Sequence, residues 1–256
     1  NQPGVFAECE HVSEVENFPW PDPDYLDLSD SIDYINRMHD NRRYIFSGSW
    51  APFFHDLCDF FGMENYFLKM FTHPAVVEAA TEKILEFYLE VNHRLLEEAG
   101  DKIDAVFFGN DLGSQYNLLI GPEEYKTFIF PGIKRIAEQA KSYNLQVVLH
   151  SCGSVFDLIP SFIEAGIDGL HPLQAKAFKM DAETLAGEYR NELVFIGGVD
   201  TQDLLSFGRP REIHAEIRRL KKVFGDRLIL SPSHEALLPN VSLENALAMR
   251  DAVLES

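Results

Sequence analysis

The stretch "QVVLHSCGSVFDLIPSFIEAGIDGLHPL", residues 146–173, decides the fold class. It opens on an apolar, β-branched run, continues with apolar residues at helical spacing up to Gly166, and closes on a second short apolar run. Strand, helix and strand in so short a span make a βαβ unit, whose two strands lie parallel. The alternation extends in both directions. The strand candidates are "YIFSGSW" (44–50), "DAVFFGND" (104–111), "QVVLHSCG" (146–153), "IDGLHPL" (167–173), "LVFIGGVD" (193–200) and "LILSPSH" (228–234). The segments 73–100, 122–144, 155–166, 180–190 and 210–225 carry helical periodicity, and 242–256 reads as a terminal helix capped by Ser242. Six βα units over residues 44–256 predict an α/β fold of the (β/α)8 TIM-barrel type. Residues 1–43, rich in proline and aspartate, predict an extended arm with a short helix near 29–39. The whole chain, 1–256, is expected to form a single barrel domain.

Composition excludes several function classes. A net charge of −19 repels a phosphate backbone, so nucleic acid is not an expected partner. No apolar run is long enough to span a membrane, and the N-terminal residues lack the layout of a signal peptide, so a cytoplasmic protein is expected. Cys9, Cys58 and Cys152 do not make a disulfide framework; free thiols or a ligand role follow.

Barrels of this type place their chemistry at the C-terminal ends of the strands. The unusual polar residues fall there: Asp111, His150 with Cys152, His171, Asp200 and His234. Each has an ordinary reading as well. Asp111 and Asp200 could cap following helices, and a lone histidine such as His171 is most often a hydrogen-bonded loop residue. The pair His150 and Cys152 is more specific, because residues two apart in an extended segment point to the same side. Imidazole and thiolate suit zinc, whose catalytic sites use three protein ligands and keep a fourth position open; His234 could supply the third. A histidine beside a thiol can equally be a base and nucleophile, and spacing alone leaves both open.

The segments 147–174, "FIGGVDTQDLLSFGRPREI" (195–213) and "LILSPSHEALLPNVSLENALAM" (228–249) resemble the uroporphyrinogen decarboxylase superfamily, in its cobalamin-related methyltransferase branch. The resemblance runs through nearly the whole chain and is most specific at the histidine, one residue, cysteine, glycine motif. It implies that His150 and Cys152 are zinc ligands and that a corrinoid (cobalamin) on a partner protein carries a methyl group. In that branch a later cysteine is the third ligand; here His234 of "SPSH" holds its place. It also implies eight βα units, so this chain, which begins with Asn1 rather than methionine, is expected to lack the first one or two.

A neutral histidine in place of a thiolate makes the ion a stronger Lewis acid, which keeps a methoxylated compound open as substrate beside a thiol. The expected catalytic residues are Asp111, His171 and Asp200. Asn110, Gln115, Gln174 and Gln202 are expected to bind a small-molecule substrate, with Trp50 and Phe53 as an apolar wall or as plain core. Two rivals are a cofactor-free decarboxylase, which would need cationic residues for substrate carboxylates, and a non-catalytic ligand-binding homologue.

Overall fold

Residues 4–40 and 42–255 are described by the computed structural model of the protein. The outermost residues of the expected arm and terminal helix, 1–3 and 256, lie outside the described residues, as does residue 41. The fold is α/β, and all six expected strands are present, each shorter than its apolar run. They are β1 (Phe46–Ser47), β2 (Ala105–Gly109), β3 (Gln146–His150), β4 (Gly169–Leu173), β5 (Val194–Val199) and β6 (Leu228–Pro232). They follow one another in chain order in a parallel sheet with helices between them. Strands stop short because their last polar residues turn into the loops that carry the candidate side chains. His150, the last residue of β3, and His171, within β4, are the exceptions.

Contacts divide the chain into two compact units, and β3 passes from one to the other along its own length. The first comprises residues 1–110, 120–148 and 164–166. Its longest helix, Pro74–Ala99, begins at a proline, whose missing N–H is harmless in a first turn, and buries Val77, Ala80, Ile84, Leu85, Val91 and Leu95. Helices Phe53–Phe61 and Met63–Thr72 meet at Gly62, whose φ of +78° suits glycine. Residues 122–144, expected as one helix, instead contain a π-helical stretch, Tyr125–Ile129, ahead of helix Phe130–Ser142. Pro131 has no N–H to return to the preceding turn, and a wider turn accommodates that loss.

Three residues expected at a substrate site belong to this unit. Phe53 is wholly buried, its ring lying over Gly132, and is core. Trp50 is half-exposed; its carbonyl accepts the Gly109 N–H at 2.9 Å, and any Cβ at Gly109 would strike its indole. Asn110 is wholly buried. Its Oδ1 accepts the Phe54 N–H at 2.9 Å and its Nδ2 donates to the Ala51 carbonyl at 3.2 Å, so it satisfies the open start of helix Phe53–Phe61. Neither Phe53 nor Asn110 presents surface; Phe53 takes the core alternative of its expectation, and Asn110 is buried rather than placed against a ligand.

The second unit comprises residues 111–119, 149–163 and 167–256. Phe195 pairs with Leu170 of β4 and Leu228 of β6, so β5 is bonded on both sides. At Gly197 the backbone has φ +126°, and a Cβ would lie 2.7 Å from the Leu173 nitrogen, which restricts the position to glycine. Helix Pro210–Phe224 buries Ile213, Ile217, Leu220 and Phe224 along one stripe, and the Phe224 ring sits 5.2 Å from that of Phe195. Buried Asn245 donates to the carbonyls of Leu205 and Gly208 at 3.0 and 2.9 Å. Among the described residues no helix is long and apolar enough to cross a membrane.

Asn110→Ala is expected to destabilise the protein by about 1–3 kcal/mol, because it leaves the buried Phe54 N–H without its acceptor. Urea unfolding monitored by circular dichroism measures this; an unchanged midpoint would assign the Phe54 N–H another partner.

Candidate functional site

The candidate residues of the second unit gather around the turn that follows β3. Its backbone is held group by group. Ser151 N–H donates to the His171 carbonyl at 2.7 Å, and Ser151 Oγ accepts the Leu112 N–H at 3.1 Å. Cys152 N–H donates to Asp111 Oδ1 at 2.9 Å, Gly153 N–H to Gln174 Oε1 at 2.8 Å, and Ser154 N–H to the Ser114 carbonyl at 2.7 Å. Gly153 has φ +86°, and a Cβ there would collide with the backbone of Gly113 and Ser114. The glycine after the cysteine is therefore a steric requirement of the turn.

These bonds bring His150 and Cys152 together. His150 is buried at the end of β3, with Nε2 3.3 Å from Cys152 Sγ and 3.2 Å from Asp111 Oδ1. Its other nitrogen, Nδ1, lies 2.8 Å from Nδ1 of His171, so one of the two donates and the other accepts. Burial, then the neighbouring His150, pulls the His171 pKa down to about 4 from 6.5. The Cys152 thiol is pushed well above its ordinary value by burial and by the carboxylates of Asp111 and Glu235. Without a cation this sulfur keeps its proton at neutral pH.

The loop after β6 reaches the same place. Ligand atoms of Asp111, His150 and Cys152 all lie within 4.8 Å of one another, and so do those of Cys152, His234 and Glu235. Cys152 belongs to both groups. Glu235 Oε2 is 4.0 Å from His150 Nε2 and 3.6 Å from His234 Nδ1. The donor set of imidazole, thiol and carboxylate suits zinc chemically. Sequence reasoning missed Glu235, because alternation along a strand excludes adjacent residues from one face. Past Pro232 the chain is no longer extended, and both 234 and 235 can turn inward. A carboxylate beside a proposed ligand was the available signal.

The remaining expected residues divide by their bonds. Gln115 Oε1 accepts from Gln174 Nε2 at 3.1 Å and from Gln202 Nε2 at 3.3 Å, while Gln115 Nε2 donates to the Lys176 carbonyl. These three amides form one neutral cluster. Asp200 is buried, and its carboxylate accepts the backbone N–H groups of Gln202, Asp203 and Leu204 at 3.1, 3.0 and 2.9 Å. It holds the turn into helix Leu204–Phe207 in the manner of a capping aspartate. Asp111 instead braces the Cys152 turn.

The lowered His171 pKa has a definite consequence for stability. Between pH 6.5 and about 4 the unfolded chain binds a proton at this residue that the folded chain does not, so its contribution is complete above pH 6.5 and is lost as pH falls through that window. His171→Asn should show a smaller loss of stability than the parent over this range in urea titrations of metal-free protein. Parallel curves would rule out His171 as a source of the pH dependence.

Comparison with known proteins agrees with this architecture. The uroporphyrinogen decarboxylase (URO-D) family matches residues 2–256. Two curated relatives are methylcobamide:CoM methyltransferases MtbA. That of Methanosarcina mazei is 24% identical over 157 residues, 61% of this chain and 43% of the relative. That of Methanosarcina acetivorans is 23% identical over 186 residues, 73% of this chain and 51% of the relative. The chain thus spans about half the length of the curated relatives it matches. A solved structure, a methyltransferase from Methanosarcina mazei, superposes with a TM-score of 0.66 at 20% identity, covering 88% of this chain and 63% of that one. The α/β fold is therefore that of part of a TIM-type barrel.

Proposed function

Because the chain belongs to the uroporphyrinogen decarboxylase family, we propose that it is a zinc-dependent methyltransferase or demethylase. It would move a methyl group between a small methylated compound or thiol and a corrinoid carried by a partner protein. The observation that carries this reading is the approach of His150 Nε2 and Cys152 Sγ to 3.3 Å, with carboxylates of two other loops beside them. The relatives named as methylcobamide methyltransferases support the methyl and corrinoid part of it.

His150 and Cys152 would hold the zinc ion, with a further donor from the segment carrying His234 and Glu235. Bound there, zinc supplies Lewis acidity, either polarising a substrate oxygen or lowering the pKa of a substrate thiol. The chain's own residues do the rest. His171 fixes the His150 ring through the Nδ1 contact, which turns Nε2 toward the thiol. Asp111 holds Cys152 by its N–H and places a carboxylate where a substrate proton can be accepted. Gln115, Gln174 and Gln202 orient a substrate through neutral amide groups rather than by charge.

The purified chain is expected to bind one zinc ion, measured by atomic emission after dialysis, and Cys152→Ala is expected to lose it. Methyl transfer to a small thiol, followed by the absorbance of methylcob(III)alamin, should fall about 100- to 10,000-fold in Asp111→Asn with zinc content retained. A parent protein that stays free of zinc at micromolar concentrations of the ion would overturn the reading. Zinc binding without any methyl transfer would restrict it to ligand binding.

A further inference from the structure

The loop after β6 offers the proposed site two candidates for a donor beside His150 and Cys152, and their hydrogen bonding separates them. His234 Nδ1 accepts the Ala236 N–H at 3.2 Å. A neutral imidazole that accepts at Nδ1 carries its proton on Nε2, so neither nitrogen offers a lone pair to a cation while that bond stands. To ligate a cation His234 would have to give up the Ala236 bond or change tautomer against it. Glu235 faces no such conflict. A carboxylate only accepts; its Oε2 lies 4.0 Å from His150 Nε2, and a Glu235 carboxylate oxygen lies within 4.8 Å of Cys152 Sγ.

Charge points the same way. One thiolate and one carboxylate with a neutral imidazole offset a divalent cation fully, whereas one thiolate with two neutral imidazoles leaves a net positive charge. With His150 buried and Cys152 half-buried, a balanced set is the less costly one. Asp111, whose ligand atom also lies within 4.8 Å of those of His150 and Cys152, accepts the Cys152 N–H and is the base in the reading above.

On the reading that His150 and Cys152 hold a divalent cation, we propose that Glu235 is its third protein ligand and that His234 stands beside it as a hydrogen-bond donor. The third donor is then the residue after His234, on a loop that no longer follows strand alternation. His234, with its proton on Nε2, is left to donate to an oxygen or sulfur of the bound substrate.

Zinc affinity measured by competition with a chromophoric chelator tests the assignment in the parent, Glu235→Gln and His234→Asn. Asparagine can still accept the Ala236 N–H. Loss of an outer hydrogen-bond partner weakens metal binding by about 10–100-fold, so loss of a ligand should exceed about 100-fold. Glu235→Gln is expected to pass that mark and His234→Asn to stay within about 10-fold of the parent. Cobalt(II) gives a second readout: Glu235→Cys should roughly double the near-ultraviolet sulfur-to-metal charge-transfer band, which scales with the number of metal–thiolate bonds, and His234→Cys should not. Both side chains are substantially exposed, and urea midpoints verify that the variants fold. The reverse order of affinities, or doubling only in His234→Cys, would overturn the proposal in favour of His234. A parent that binds neither zinc nor cobalt would instead overturn the metal site itself, and this assignment with it.

Discussion

The hydrogen bond from the Cys152 N–H to Asp111 Oδ1 is the interaction on which the site depends. It is made between two strand-end loops, and the same oxygen lies 3.2 Å from His150 Nε2. One carboxylate therefore sets both the direction of the thiol and the electrostatic surroundings of the imidazole. Its negative charge makes the thiol harder to ionise in the absence of a cation and makes a cation more welcome when one arrives. The site is thus biased toward a protonated sulfur or a metal-bound one, and against a bare thiolate.

Around that bond the turn is over-determined. Four successive N–H groups, from Ser151 to Ser154, find acceptors in strand β4 and in the loops after β2 and β4, and the left-handed backbone at Gly153 lets two segments approach to contact. Such a turn has little freedom to rearrange, because moving it breaks several bonds at once. Donor atoms held this way are pre-organised, and binding a cation needs little further ordering of the chain.

The six strands were legible because short β-branched runs bounded by helical periods have few alternative readings, and the meeting of His150 with Cys152 followed from strand alternation. What sequence could not supply came from three physical sources. Phe53 and Asn110 are apolar and polar residues just beyond strands, where position alone does not distinguish a pocket from the core; only burial and the bonds to Ala51 and Phe54 do. Asp200 reads the same as Asp111 in sequence, yet its oxygens face the N–H groups of its own loop, whereas those of Asp111 face another loop. Glu235 was hidden because alternation holds only while the chain is extended. The π-helical stretch before Pro131 could have been foreseen from the proline, had the helix pattern around it been less continuous.

The state of the sulfur atoms bears on how the protein survives in an oxidising solution. Burial and nearby carboxylates raise the Cys152 thiol, burial raises Cys9, and burial brings Cys58 to about 12. Oxidation and alkylation proceed through the thiolate, so a chain without metal exposes almost no reactive sulfur at neutral pH. A bound cation would displace the Cys152 proton, so metal loading, rather than the thiol's own acidity, would set the charge on this sulfur.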